Sequence, residues 1–140
     1  MKIIVVGAGK VGYSVAKILS EEGHDITVID RDPETITHLS NELDVICVEG
    51  SATNHETLLG AGAAEADLLM AATQQDEVNM VCGITARKLG TKHVIARIRD
   101  TEYLRQTEFL REVLGLSITI NPEYECAKEI ARILRFPSAA

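Results

Sequence analysis

The sequence predicts a doubly wound α/β domain whose core is a six-stranded parallel sheet. Strand-like and helix-like stretches alternate six times over the 140 residues. Several strand-like runs are apolar throughout, such as 68–72, which is typical of a parallel sheet covered by helices on both faces. A Gly-x-Gly-x-x-Gly sequence at 7–12 joins the first run to the first helix. Right-handed crossovers then predict the strand order 3-2-1-4-5-6, which is the Rossmann arrangement.

The elements follow one another along the chain without a linker. Strands are predicted at 2–6, 26–30, 45–48, 67–72, 93–98 and 117–120, and helices at 11–22, 33–43, 54–62, 76–90, 101–115 and 123–135. Pro33 after Asp32 indicates a helix start, Gly23 and Gly90 indicate helix ends, and Pro122 precedes the last helix. We therefore expect one domain over 1–140, with a Rossmann core at 1–121 and a C-terminal crossover helix at 122–140.

The glycine loop and the acid that ends the second strand form a dinucleotide-binding pattern. Gly7 is expected to turn the chain out of the strand, Gly9 to let a pyrophosphate approach the backbone, and Gly12 to let the helix lie against the sheet. The helix N-terminus would direct its free N–H groups at the phosphates, and Asp30 would accept hydrogen bonds from the adenosine ribose. The alternative is a turn that uses glycine for tight packing alone.

Residues at the other strand ends are further candidates, because ligands of this architecture bind beyond the carboxyl ends of the strands. Turn formation and helix capping are the alternative roles for the polar residues among them. For the one arginine among them, Arg97, the alternative role is an ion pair with Asp76 or Glu123. The candidates are Ser51, Ala52 and Thr53 after strand three, Thr73 after strand four and Arg97 in strand five.

Asp30 favours NAD or NADH over NADP, since a carboxylate accepts from a ribose diol and repels a 2′-phosphate. Arg31 could accommodate that phosphate, but Asp32 beside it keeps the local charge negative. Lys10, inside the loop with Ala8 and Val11, is expected either to contact phosphate or to extend into solvent. ATP and ADP remain candidates, because every feature named contacts adenosine or phosphate.

Composition excludes several functions. The net charge of −7 argues against a nucleic-acid surface, and no apolar run approaches the length of about 18 residues that a membrane span needs. The cysteines and histidines form no metal-binding or nucleophile pattern, so no catalytic residue and no metal ligand is predicted. The three widely spaced cysteines are expected to stay reduced in a cytosol. They are Cys47, Cys82 and Cys126.

Three function classes remain at this stage. The first is a nucleotide-binding module without chemistry of its own. The second is the cofactor domain of an NAD-dependent dehydrogenase separated from its substrate domain, and the third is an S-adenosylmethionine binder. The third is disfavoured, because that ligand brings no phosphate to the helix N-terminus.

More particular motifs give the chain a family resemblance that covers essentially its whole length. In order and spacing together, they resemble the N-terminal lobe of TrkA-type potassium-uptake regulators, also called the KTN or RCK domain. They include Glu49-Gly-Ser-Ala-Thr53, Ala71-Ala-Thr73 with Asp76-Glu-Val-Asn79, Ile95-Ala-Arg-Ile98, and Asn121-Pro-Glu123 leading to Phe136-Pro-Ser138.

The resemblance implies a cytoplasmic regulatory subunit at the inner face of the plasma membrane, beneath a potassium transporter. Such lobes bind NAD(H) or ATP/ADP, and they assemble as dimers into tetrameric or larger rings. By motif, residues 7–11 would hold the pyrophosphate, Asp30 the ribose, 51–53 the adenine, and Thr73 and Arg97 the distal half of the ligand. Relatives often carry an acid where this chain has Ser51. Family members continue into a second small lobe, so 1–140 is expected to be an excised lobe or a short member.

The last helix supports assembly by its pattern. An apolar stripe recurs at helical spacing, and we expect it to cross to a partner lobe. Packing against its own domain is the alternative. The stripe consists of Ala127, Ile130, Ala131 and Leu134, widened by Ile133 and Phe136.

Overall fold

The computed structural model describes residues 1–135, which form a single α/β unit. Phe136 and the rest of the tail lie outside the described residues. The strands are β1 (Lys2–Val6), β2 (Asp25–Asp30), β3 (Ile46–Glu49), β4 (Leu68–Ala71), β5 (His93–Arg97) and β6 (Ser117–Thr119). The helices are α1 (Lys10–Glu21), α2 (Pro33–Glu42), α3 (His55–Gly60), α4 (Asp76–Leu89), α5 (Thr101–Leu104), α6 (Thr107–Leu114) and α7 (Pro122–Arg135).

All six strands are parallel and lie in the order β3-β2-β1-β4-β5-β6, which confirms the predicted fold. Alternate side chains of the central β1 strand enter two separate cores. Ile3 and Val5 pack on the face covered by α1, α2 and α7, while Ile4 and Val6 pack on the face covered by α3 and α4. This two-sided burial is why the strands read as continuous apolar runs rather than as alternating ones.

The predicted helix over 101–115 is wrong in one respect, because the structure divides it into α5 and α6. Gln106 leaves the helical conformation at the junction, with φ −120° and ψ 33°. The Thr107 hydroxyl donates to the Leu104 carbonyl at 2.8 Å, which replaces a backbone partner at that carbonyl. A second, smaller difference is that Pro122 is the first residue of α7 rather than the residue before it.

Helix α7 packs on its own domain through part of the apolar stripe. Ile130 and Ile133 are buried there, and the helix contacts α1 and β5. Leu134, on the same stripe, is 64% exposed, so part of the stripe stays open to solvent. Contact with a partner lobe through this helix stays a prediction. Within residues 1–135, none of the helices combines the length and apolar character that crossing a membrane requires.

Candidate nucleotide-binding site

A cavity of about 630 Å³ opens at the carboxyl ends of the strands, where β1 and β4 lie side by side. The chain leaves these two strands toward opposite sides of the sheet, so this is the topological switch point of the fold. The cavity wall brings together every binding residue that the sequence predicts: Gly7, Ala8, Gly9, Lys10, Val11, Asp30, Arg31, Ser51, Ala52, Thr53, Thr73 and Arg97. That a nucleotide contacts them stays a prediction.

The three loop glycines have different physical roles. Gly7 has φ +89°, a conformation that other residues rarely adopt, and its N–H donates to the Ile29 carbonyl at 2.8 Å. A Cβ on Gly12 would lie 1.6 Å from the Gly7 carbonyl oxygen, so only glycine lets α1 lie this close to the loop. A Cβ on Gly9 would meet no protein atom within 4 Å. The fold therefore needs Gly7 and Gly12, whereas at Gly9 the protein leaves the space open toward the cavity.

The N-terminus of α1 has neither a capping side chain nor an acidic residue in its first turn. Its N-cap is Gly9, which offers no side-chain acceptor, and its first turn carries no acid. By contrast, α2 and α3 are capped by the side chains of Asp32 and Asn54. The first-turn N–H groups of α1 thus have no capping side chain at the cavity wall, an arrangement that favours an anion.

Asp30 has a structural role that the sequence pattern does not reveal. One carboxylate oxygen accepts from the Ala8 N–H at 2.7 Å, and the other accepts from the Asp32 N–H at 2.8 Å. The side chain therefore joins the end of β2 to the glycine loop. Each oxygen keeps a second lone pair, so the carboxylate can still accept from a ribose hydroxyl.

The loop after β3 forms the side wall of the cavity. The Ser51 and Thr53 hydroxyls lie 2.8 Å apart and hydrogen-bond to each other, and Ala52 is buried. Neither hydroxyl caps α3, because the Asn54 side chain accepts from the Glu56 N–H at 2.8 Å. Helix capping, the alternative role considered for Ser51 and Thr53, is therefore performed by Asn54.

Asn79 is the residue of this region that sequence reasoning underestimated. Its side chain is fully buried, and its Oδ1 accepts from both the backbone N–H and the hydroxyl of Thr73, at 2.9 and 2.7 Å. Its Nδ2 donates to the carbonyls of Thr73 and Arg97, at 3.1 and 2.8 Å. One amide thus fixes the ends of β4 and β5, and with them two predicted binding residues. The sequence signal that could have identified Asn79 is its position near the start of α4, on the helix face whose other residues are apolar or small and buried against the sheet.

Arg97 does not form either of the predicted alternative ion pairs within residues 1–135. The Asp76 carboxylate instead accepts from the backbone N–H groups of Arg99 and Asp100, at distances of 2.7 to 3.1 Å. The buried Nε of Arg97 has no hydrogen-bond partner in the described structure. Burial and the nearby Arg99 charge lower the pKa of Arg97. The cavity therefore carries two arginines on the wall opposite Asp30.

Further residues line the cavity that the sequence had not assigned to ligand contact: Asp32, Thr35, Gly50, Gln74, Gln75, Val78 and Arg99. Among residues 1–135 no group of histidine, cysteine, aspartate and glutamate side chains could hold a metal ion. The three cysteines are free, and burial raises the pKa of Cys82 to about 12.

Fold and cavity together define the class of protein: a Rossmann-type domain with a glycine loop and a helix N-terminus without a capping side chain at the switch point.

Comparison with known proteins specifies the family. The family model of the TrkA-N domain matches residues 3–122, and the chain belongs to this family. The chain is 38% identical over 139 residues to a Trk system potassium uptake protein TrkA homolog of Archaeoglobus fulgidus. It is 40% identical over 142 residues to the Trk system potassium uptake protein TrkA of Haemophilus influenzae. Both matches cover 99% of this chain but 31% of the relative, so the chain spans about a third of these proteins.

Solved structures share the fold. The TrkA-N domain of the Escherichia coli inner membrane protein ybaL matches with a TM-score of 0.75 and 22% identity, covering 95% of this chain and 96% of that one. The GsuK channel bound to NAD matches with a TM-score of 0.72 and 23% identity, and the match covers 84% of this chain and 21% of that one. The Kef C-terminal domain of Shewanella denitrificans in an AMP-bound form matches with a TM-score of 0.68 and 24% identity. That match covers 85% of this chain and 70% of the Kef domain.

Proposed function

We propose that this chain is a regulatory domain of a potassium-uptake system that binds NAD(H) or an adenine nucleotide and catalyses no reaction. The observation that carries the proposal is the open cavity at the switch point. The N-terminus of α1, which has no capping side chain, and Gly9, which has open space beside it, line this cavity together with the Asp30 carboxylate. Family membership and the TrkA names of the relatives support the link to potassium uptake. We place the domain in the cytoplasm, at the inner face of the membrane, beneath its transporter partner.

The cavity suggests how a nucleotide would lie. Its pyrophosphate would contact the N–H groups at the start of α1, and its adenosine ribose would donate to Asp30. The adenine would lie against Ala52, and the distal half would extend toward Thr73 and Arg97. Solved structures of the same fold whose names include bound NAD or AMP support nucleotide binding by this fold.

Regulation would follow from ligand-dependent assembly. We propose that the domain forms dimers that build a tetrameric or larger ring with residues 122–140 as the assembly segment, and that different ligands favour different angles between paired domains. A ligand shifts such an equilibrium only by its differential affinity for the two arrangements. Tight binding of one nucleotide would therefore not be sufficient evidence for control of a transporter.

The binding test uses Gly9→Ala, because this variant separates ligand contact from folding. Gly9 has φ −70°, which alanine adopts, and the added Cβ meets no protein atom. Asp30→Ala would be less informative, since it also removes the hydrogen bonds to Ala8 and Asp32. The matched control is Gly60→Ala, an exposed site at the end of α3 with equally open space.

Thermal unfolding is measured with NAD⁺, NADH, ATP, ADP and NADP⁺. A ligand present at about 100 times its dissociation constant stabilises the folded state by about 2.7 kcal/mol. For a domain of this size, that raises Tm by about 9 °C. With NAD(H) or an adenine nucleotide, we expect this rise in Tm in the wild-type chain and in Gly60→Ala but not in Gly9→Ala. Without ligand, all three chains should have the same Tm. No rise with any nucleotide, or an undiminished rise in Gly9→Ala, would overturn the proposed site.

The assembly step has its own test. Small-angle scattering of the domain with NADH and then with ATP should give two different assembly shapes at equal subunit number. Identical shapes with both nucleotides bound would leave nucleotide binding intact and remove the proposed regulation. The dehydrogenase alternative has no observation in its favour beyond the shared fold.

A further inference from the structure

A second cleft, of about 370 Å³, lies at the opposite edge of the sheet, where β5 and β6 begin. Its walls are the C-terminal ends of α4 and α6 and the second half of α7. The ionisable side chains that line it are mostly basic although the whole chain carries a net charge of −7. They are Arg87, Lys92, His93, Arg111, Arg132 and a single carboxylate, Glu129.

The single carboxylate is shared between two of these groups. Glu129 Oε1 accepts from Arg132 Nε at 3.0 Å and lies 3.2 Å from His93 Nδ1. Arg132 Nη2 also lies 3.2 Å from that ring nitrogen. Lys92 pairs outside the cleft, with Nζ 3.4 Å from Asp67 Oδ1. One negative charge within the cleft thus faces three permanent cations, those of Arg87, Arg111 and Arg132.

Arg87 and Arg111 have no carboxylate partner within residues 1–135. Arg87 Nη1 donates to the Lys92 carbonyl, and its Nε lies 3.9 Å from the place of a Cβ on Gly115. The Arg87 side chain therefore extends from α4 across the turn that ends α6. Arg111 lies in the last turn of α6, on the same cleft. Two guanidinium groups from different helices thus line one opening.

We propose that this cleft binds a phosphate group, either as the free ion or as part of a phosphomonoester. Guanidinium groups present their N–H donors in a planar fork that matches phosphate oxygens, and several cations in one cleft stabilise an oxyanion. Both arginines also lie in last helical turns, where a cation compensates the helix dipole. The two arginines could therefore either bind phosphate or only compensate the helix dipoles. Dipole compensation requires no ligand, so a binding measurement distinguishes these two roles.

His93 is the probe of the cleft, because its ring contacts Arg132 and Glu129 there. Four groups act on it: Glu129 and Arg132 from α7, Arg87 from α4, and Asp67 before β4. Burial lowers the pKa of His93, and Glu129 opposes this effect. A phosphate in the cleft adds negative charge and is expected to raise that pKa by about 1 unit. A phosphate at the glycine loop, at the other edge of the sheet, would leave it unchanged.

The test follows the imidazole signals by NMR from pH 5 to 8, with and without inorganic phosphate at constant ionic strength. The His93 signal is assigned by its loss in His93→Gln. We expect phosphate to raise its pKa in the wild-type chain, and Arg111→Gln, at an exposed site, to abolish the rise. Arg87→Gln is expected to do the same. Arg105→Gln is the matched control, since Arg105 is exposed outside the cleft and pairs with Glu102.

A second titration with glycerol 3-phosphate distinguishes the two sources. A rise with the ester alone assigns the cleft to phosphomonoesters, and a rise with both shows that the phosphate group suffices. An unchanged His93 pKa with both probes, or a rise that persists in Arg111→Gln and Arg87→Gln, would overturn the proposal. Because the readout is confined to this edge of the sheet, the result is independent of nucleotide binding at the other.

Discussion

Asn79→Ala removes the amide that joins the ends of two neighbouring strands. The amide is fully buried and makes four hydrogen bonds, which hold the end of β4 to the end of β5. A net hydrogen bond contributes about 1 kcal/mol, and a buried polar group left without a partner costs about 1–3 kcal/mol. Some of the freed groups, at the half-buried Thr73, would regain water. We therefore expect a loss of about 3 kcal/mol in the free energy of unfolding.

Urea unfolding followed by circular dichroism measures this loss directly, and in a thermal scan it corresponds to a fall in Tm of about 10 °C. The matched control is Asn41→Ala, the same substitution at an exposed site on α2. It should be neutral or slightly stabilising, because alanine is the better helix former. A loss below about 1 kcal/mol in Asn79→Ala would refute the reasoning that this amide fixes the two strand ends.

Two further predictions concern the fold. Gly12→Ala should cost about 4 kcal/mol or more, measured by urea unfolding, because its Cβ would lie 1.6 Å from the Gly7 carbonyl oxygen. The second is a pH dependence: burial alone would raise the pKa of Asp67, but hydrogen bonds from the Lys2 N–H and from Lys92 outweigh it and lower that pKa. The ionised carboxylate therefore stabilises the fold above the unfolded-state pKa of about 3.9, and that stability is lost as the pH falls through the folded-state value. Asp67→Asn should consequently be less stable than the wild type at pH 7, with the difference shrinking below about pH 4 in urea unfolding at several pH values.

Each of these has a matched control. Gly60→Ala tests the cost of a methyl group where there is open space, and it should leave the free energy of unfolding within about 0.5 kcal/mol of the wild-type value. Asp44→Asn is the same substitution at an exposed site, and it should leave the free energy of unfolding at pH 7 within about 0.5 kcal/mol of the wild-type value. A Gly12→Ala chain as stable as Gly60→Ala would contradict the packing argument. A constant difference between Asp67→Asn and the wild type down to pH 2.5 would contradict the linkage.

Much of the fold was predictable because its signals are local. Strands covered on both faces must be apolar at consecutive positions, and the runs around 3–6 and 68–71 show this without knowledge of their neighbours. The glycine spacing predicted the turn after β1, since the positive φ of Gly7 and the close approach at Gly12 are properties of a single βα unit. Each predicted strand end falls within one residue of the strand end in the structure.

The break between α5 and α6 was not predictable in the same way. Residues 101–115 form a continuous helical pattern, and the structure interrupts it at Gln106 with a side-chain hydrogen bond from Thr107. Threonine is compatible with either outcome, so local propensity does not decide between them. Met80, Ile98 and Ile118 form the small core beside these helices.

The sequence by itself determined the strand order, the glycine loop and which strand ends surround the cavity, because parallel strands deliver their carboxyl ends to one edge. The tertiary structure alone decided which polar groups satisfy one another there: Asp30 with the Ala8 N–H, Asp76 with the Arg99 N–H, and Asn79 with the two strand ends. It also decided that the basic residues of α4, α6 and α7 share one cleft. Apart from Asn79 with Thr73, which lie 6 positions apart, these hydrogen bonds join groups 18 to 23 positions apart, and strand register and helix packing set their distances. No local pattern in the chain encodes those distances.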